Sequence, residues 1–148
     1  KPEPSLFAAS EIAAQLRSLY PDIFQYSDYD SPIVLLTDKN MLAQVLINLC
    51  KNAIEAHASK VCMQCEPDKS KNMARLIVSN NGDPIPAEVR DDIFTPFFTT
   101  KDRGSGIGLS ICREIIVKQG GRIELLDRPV PGFRTSFLIE VESEALNS

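Results

Sequence analysis

Four short stretches of this 148-residue chain bring together groups that could do chemistry. The first, MLAQVLINLCKNAIEA, is an apolar run from Met41 to Ala56 with a polar stripe. On a helix turning about 100° per residue, Gln44, Asn48, Asn52 and Glu55 fall within about 80° of one another. Leu42, Val45, Leu46, Leu49, Cys50, Ala53 and Ile54 hold the other side. Asparagine competes with the helix backbone through its own hydrogen bonds, so two of them four apart on one stripe need a reason. Either the stripe is a solvated face or satisfied amide pair, or it is a row of oxygen ligands facing a hard cation such as Mg²⁺.

The second stretch, TTKDRGSGIGLSICREIIVKQGG, alternates Gly104, Gly106 and Gly108 and passes directly into an amphipathic helical pattern. Glycines allow close backbone approach, and a helix start offers unpaired N–H groups at a positive dipole end, which together suit phosphate. No Gly-Lys-Ser/Thr follows, so it is not a P-loop, and without a third spaced glycine or a preceding strand it is not a dinucleotide fingerprint. Taken alone, it reads equally well as a hinge. The third stretch, SNNGDPIP, puts Asn80 and Asn81 before Gly82 at a strand end, which is turn chemistry. In the fourth, IFTPFFTTK, Phe94, Phe97 and Phe98 stand in a polar, proline-broken region, where aromatics anchor a loop to the core.

The elements that must position these groups are legible from period and punctuation. Ser10 to Leu19 reads as an amphipathic helix, then come strand candidates at Phe24 to Tyr29 and Ile33 to Leu36. Thr37 or Asp38 can cap a long helix running to about Ala58. Lys60 to Glu66 and Ala74 to Ser79 form a hairpin, and Asn80 to Arg103 is irregular. A helix from about Gly106 to Gln119 stops at Gly120-Gly121, followed by strands Arg122 to Leu126 and Phe133 to Val141. Strands gathered into one sheet with helices on one face make an α+β fold. The first four and last six or so residues read as frayed ends.

Bulk properties narrow the field without choosing within it. The length fits one domain, residues 1–148, able to bury a core without metals or disulfides. A net charge of −4 gives no electrostatic reason to expect nucleic acid or an anionic membrane. No apolar run approaches the ~20 residues of a membrane span, and KPEPSLFAAS is not a signal peptide. Of Cys50, Cys62, Cys65 and Cys112, only the middle two form a CxxC, and on a strand they would point to opposite faces. Four reduced, structural thiols in a cytoplasmic protein are the expectation.

In order, the four stretches resemble the ATP-binding catalytic domain of sensor histidine kinases, within the Bergerat-fold ATPases that include gyrase, mismatch-repair and chaperone members. QVLINLCKNAIEA resembles the N box, NNGDPIP the G1 box, IFTPFFTTK the F box, GSGIGLSI the G2 box and GFRTSF the closing strand motif. The likeness spans roughly Ile33 to Glu140, and NAIEA with PFFTTK resembles the nitrogen-regulator type. It implies a two-layer α/β sandwich with a mixed, mostly antiparallel sheet and a mobile ATP lid from about Pro86 to Arg103, latched by Phe97 and Phe98.

The resemblance also implies the cofactors ATP and Mg²⁺ and a set of site residues. Asn52 would coordinate Mg²⁺, Asn48 would lie beside the triphosphate, and Lys101 would add charge. Asn80 would hold the adenine amino group with Thr135 behind it, and Gly104, Gly106 and Gly108 would offer N–H groups to the phosphates. Gly82, Ile85, Thr100, Ser105, Ile107 and Leu109 complete the implied lining.

Two positions depart from the family pattern: Asn80 stands where aspartate is usual, and Pro84 where glycine is usual. Asparagine can accept from the adenine amino group and donate to the ring, but without a carboxylate's charge, so ATP should bind more weakly by ~1–2 kcal/mol. A flipped amide could instead donate to guanine, which leaves base selectivity open. Asn48 occupies the place of the water-activating glutamate of hydrolytic members and has no useful basicity, so idle ATP hydrolysis should be slow.

The expected partners are a histidine-bearing helical dimerisation domain of the same parent protein and then a response regulator, with this domain itself monomeric. His57, the chain's one histidine, has no acidic residue after it and reads as a surface or helix-end group rather than an acceptor. Two readings keep the site and change its use: an ATP-sensing pseudokinase, and a serine kinase of the anti-sigma-factor type. A non-catalytic interaction domain is the third.

Overall fold

The computed structural model describes residues 1–27, 31–96 and 108–144. The chain runs β1 (Ser5–Ala8), α1 (Ala9–Leu19), β2 (Phe24–Ser27), β3 (Val34–Thr37), α2 (Lys39–Glu55), β4 (Val61–Asp68) and β5 (Met73–Asn80). A 3-10 helix (Ala87–Asp92), α3 (Gly108–Lys118), β6 (Arg122–Leu125) and β7 (Thr135–Glu142) follow. The expected elements are present to within a few residues.

Asp38 starts α2 by accepting from the Met41 N–H at 3.0 Å, satisfying one of the donors that every helix start leaves unpaired. Its other carboxylate oxygen accepts from the Glu3 N–H at 2.8 Å, so the chain start is tied down rather than frayed. The helix ends in a Schellman arrangement: Ala58 N–H reaches Ala53 O at 2.9 Å and His57 N–H reaches Ile54 O at 3.0 Å. That motif needs a left-handed residue between them, and His57 supplies it at φ 68° where glycine is usual. The end of α3 repeats the pattern with Gly120 at φ 80°. The next residue, Gly121, must lack a side chain, since a Cβ would lie 2.0 Å from the Glu140 carbonyl oxygen.

The five-stranded sheet has order β2-β4-β5-β7-β6, parallel between β2 and β4 and antiparallel elsewhere. One sheet face is apolar: Val61, Met63, Cys65, Leu76, Val78, Phe137 and Ile139 are buried there. α1 packs against β2, α3 against β6 and β7, and α2 lies between α1 and α3. From the helices, Ile12, Leu16, Leu42, Val45, Leu46, Leu49, Cys112 and Ile116 close the core. The opposite face carries ion pairs, Arg75 with Glu66 at 3.1 Å and Arg122 with Glu124 at 3.0 Å, which at such exposure contribute little.

Two expectations are corrected. The strands do not form one sheet, because β3 pairs antiparallel with β1 in a separate two-stranded ribbon. β1 has four residues of which only Phe7 is buried, so it lacks the alternation that would have marked it. The chain end is not frayed at Ser143 and Glu144 either. Ser143 is buried and bridges Leu35, and the Glu144 N–H bonds Val34 O at 3.0 Å.

Asp38 makes this stability pH-dependent. The Glu3 and then the Met41 backbone N–H groups hold its carboxyl below the usual carboxylate range. Such a group stabilises the fold above its unfolded value of ~3.9, and the contribution is lost as pH falls through the lower folded value. Asp38→Asn keeps an acceptor for one of the two backbone N–H groups and sets its amide NH2 against the other, so it should cost about 1–3 kcal/mol at pH 7 in urea denaturation. The gap between the two proteins should shrink toward pH 3; an equal gap at both pH values refutes the assignment.

Candidate functional site

The polar stripe of α2 divides on folding. Gln44 and Glu55 are exposed and take no part, while Asn48 and Asn52 are half-buried. Asn48 Nδ2 donates to the Gly108 carbonyl oxygen at 3.3 Å and lies 3.7 Å from Cys112 Sγ. A carbonyl oxygen only accepts, so the Asn48 amide is oriented with Oδ1 turned away from this contact. Cys112 lies beneath, its thiol 3.8 Å from Val45 O and pushed up to about 11 by burial, with the Asn48 contact acting the other way. The stripe therefore meets the first residue of α3. Among the described residues nothing hydrogen-bonds the Asn52 side chain.

α3 is fastened to α2 a second time at its far end. Gln119 Oε1 accepts from Thr37 Oγ1 and from the Asp38 N–H, both at 2.7 Å. Two contacts at opposite ends fix the register of the helix pair. Among the described residues, a Cβ at Gly108 would meet nothing within 4 Å.

The Asn80 turn rests on the other end of the same helix. Asn80 ends β5 in register with Thr135 on β7, and both are buried. Asn80 Oδ1 accepts from the Gly82 N–H at 2.9 Å. Asn81 Oδ1 accepts from the Ser59 and Lys60 N–H groups at 2.9 and 3.0 Å, and its Nδ2 donates to Ser59 Oγ at 2.9 Å. The Asp83 N–H donates to Ala56 O at 2.6 Å, and its carboxylate pairs with His57 Nδ1 at 2.8 Å. Gly82 is required, because a Cβ there would sit 2.7 Å from Ala56 O. The expected turn chemistry is thus a clasp on the end of α2, and His57 has the helix-end role. The distance along α2 from Asn48 to Ala56 is ~12 Å by helical rise.

Part of the expected lid is docked. Arg90 Nη2 donates to Leu126 O at 3.1 Å and to Asp127 at 3.2 Å. Ile93 is buried, and Phe94 meets Phe137 edge-to-face at 6.3 Å. These contacts dock the first part of the expected lid, Pro86 to Pro96, against β6, β7 and the turn after β6. Ile85 and Leu109 are half-buried and pack against the core, and Pro84 is exposed. Phe97, Phe98, Thr100, Lys101, Gly104, Ser105, Gly106 and Ile107 lie outside the described residues. The His57–Asp83 pair and the Ser79–Ser136 hydroxyl pair, 2.7 Å apart and buried, were missed. Both join residues far apart in sequence and carry no local signal.

Among the described residues no group of three His, Cys, Asp or Glu side chains could cage a metal ion. The donors on offer are neutral amide oxygens at Asn48 and Asn52. Oxygen is the donor type that hard cations such as Mg²⁺ take, and two neutral amides would leave most of the coordination and all of the charge balance to water and phosphate.

The sequence profile of the histidine kinase-, DNA gyrase B- and HSP90-like ATPases matches residues 37–145. The C4-dicarboxylate transport sensor protein DctB of Rhizobium meliloti is 41% identical over 96 residues, 64% of this chain and 16% of DctB. The chain thus spans about a sixth of that relative's length. The nucleotide-free catalytic domain of histidine kinase ThkA superposes with a TM-score of 0.76 at 34% identity, covering 95% of each chain. ThkA in complex with the response regulator TrrA gives a TM-score of 0.76 at 31% identity, over 97% of this chain and 43% of that one. The chain belongs to the histidine kinase-, DNA gyrase B- and HSP90-like ATPase family, as a histidine kinase catalytic domain.

Proposed function

We propose that this domain binds Mg²⁺–ATP and passes its γ-phosphate to a histidine on a helical dimerisation domain, from which a response regulator takes it. The observation that carries this reading is the Asn48–Gly108 hydrogen bond at 3.3 Å, which joins the amide stripe to the start of α3. The complex of ThkA with its response regulator supports the last step by analogy.

Asn52 would hold Mg²⁺, and Asn48 would turn its free Oδ1 toward the same space. When bound, Mg²⁺ neutralises charge on the phosphate oxygens. The N–H groups at the α3 start, with those of Gly104 and Gly106, would take the phosphates, and Lys101 would add a positive charge. Asn80 and Thr135 would receive the base. Phosphoryl transfer asks chiefly for position and charge stabilisation, and amides and a helix start supply both. None of them is a base at neutral pH, so water is not activated and the γ-phosphate is kept for a protein acceptor.

Transfer can be read directly. The domain alone should release phosphate from ATP at a negligible steady-state rate. Supplied with the histidine-bearing hairpin of its parent kinase and γ-labelled ATP, it should label that hairpin. Asn52→Ala should lower labelling by at least about a hundredfold, the scale of removing one electrostatic contact to a transition state. Brisk phosphate release, or undiminished labelling by the variant, overturns the reading.

The two glycines on either side of the site should separate folding from binding. Gly82→Ala should cost about 1–3 kcal/mol in urea denaturation through its contact with Ala56 O. Gly108→Ala meets no described residue and should hold stability within about 0.5 kcal/mol while weakening nucleotide binding by calorimetry. Unchanged affinity in Gly108→Ala would place the phosphates elsewhere.

A further inference from the structure

Pro2, Glu3 and Pro4 leave one backbone N–H between them, because proline has none. That single donor, on the exposed Glu3, is given to Asp38 Oδ2 at 2.8 Å. Asp38 is also where α2 begins, since its Oδ1 accepts from the Met41 N–H at 3.0 Å. Its own N–H donates to Gln119 Oε1 at 2.7 Å, and the Thr37 hydroxyl donates to the same oxygen at 2.7 Å. Three separate parts of the chain therefore meet at Asp38: the segment before β1, the start of α2 and the end of α3. Gln119 has no second arrangement there. Turning its amide over would set Nε2 against the Asp38 N–H. Nε2 is sealed and has no partner among the described residues, so Gln119 is held by its oxygen alone.

Resting on the nucleotide reading above, we propose that Asp38 and Gln119 are positioning residues that couple the segment before β1 to the start of α3. The pairing of β1 with β3 sets Ser5 opposite Thr37, so a shift of the entering strand arrives at the residues that hold Gln119. Gln119 directly follows Lys118, the last residue of α3, and ~16 Å of helical rise separates it from Gly108. Rigid elements of this kind carry coupling between distant sites. A displacement of the α3 end is therefore felt at its start, where Gly108 O accepts from Asn48 Nδ2 at 3.3 Å. The coupling is reciprocal: a nucleotide that fastens the α3 start also tightens the hold on the Glu3 N–H.

Glu3→Pro is the clean probe, since it deletes one N–H between two prolines and alters no buried side chain. It is compared with Gln119→Met, which keeps the length of the side chain and loses its acceptor, and with the double variant. Cys112 lies under the Asn48–Gly108 contact and Cys65 in the sheet, and both are buried. The ratio of their alkylation rates thus separates opening of the helix pair from unfolding of the domain, which would raise both together. Each single change should raise the Cys112-to-Cys65 ratio about fivefold and weaken Mg²⁺–ATP binding in calorimetry by a similar factor. The double variant should go no further than Gln119→Met, because the Glu3 contact then has nothing to act through. A ratio within twofold of wild type in Glu3→Pro, or effects that multiply in the double variant, overturns the coupling. A raised ratio that does not multiply, with no nucleotide bound by any of the proteins, upholds the coupling and overturns the nucleotide reading instead. Should Gln119→Met fail to fold in a thermal melt, Thr37→Val removes one of the two bonds to Oε1 and takes its place in the cycle.

Discussion

The contact between Asn48 and the Gly108 carbonyl is the constraint on which the candidate site depends, because it joins the middle of α2 to the first residue of α3. Much of the fold can be understood as holding those helices in the register that makes it. Gln119 locks the far end of α3 to Thr37 and Asp38, while Asp38 caps α2 and anchors the chain start. Two tethers about three turns apart allow the pair little freedom to slide. The apolar side of α2, with Leu42, Val45, Leu46 and Leu49 all buried, supplies the free energy for this, at ~2–3 kcal/mol per side chain. The polar stripe is thus held in place by packing on the opposite side of its own helix.

Among the described residues, the candidate site presents neutral amides. Asn48, Asn52, Asn80 and Asn81 act through oriented oxygen and nitrogen atoms, and three of them have that orientation imposed by backbone groups that can only donate or only accept. Amides do not titrate in the physiological range, so the direction of each contact is set by geometry and not by pH. A carboxylate in the same place would accept from anything offered. An amide distinguishes donor from acceptor, and fixing which end faces outward becomes a matter of what the backbone beside it needs.

How much of this was legible in the sequence depended on how local the cause was. The helix periods, the cap at Asp38, the stop at Gly120 and the Asn-Asn-Gly turn are decided by neighbouring residues, and all were readable. The polar stripe was readable as an anomaly, but only folding separated Asn48 and Asn52 from the exposed Gln44 and Glu55. β1 was hidden because a four-residue strand with one buried side chain has no period to detect. Its partner β3 was read correctly as a strand and assigned to the wrong sheet, since pairing is a long-range choice. The docking of Pro86 to Pro96 turned on Arg90 reaching carbonyls near residue 126, and no composition rule anticipates that. His57 in a left-handed conformation is the opposite case, where tertiary demand from Asp83 and the helix stop overrode local preference.

The four free thiols are graded by their surroundings, and the grading gives the domain a built-in reporter. Cys50 and Cys65 are buried and pushed up to about 12, and Cys112, under the Asn48–Gly108 contact, to about 11. Cys62 is half-buried on the solvated sheet face, so an alkylating dye reaches it first. Cys112 becomes available only when α3 lifts from α2, so its alkylation rate counts the openings of the helix pair. A timed labelling experiment on the native protein can thus follow the two-helix clamp without any introduced probe.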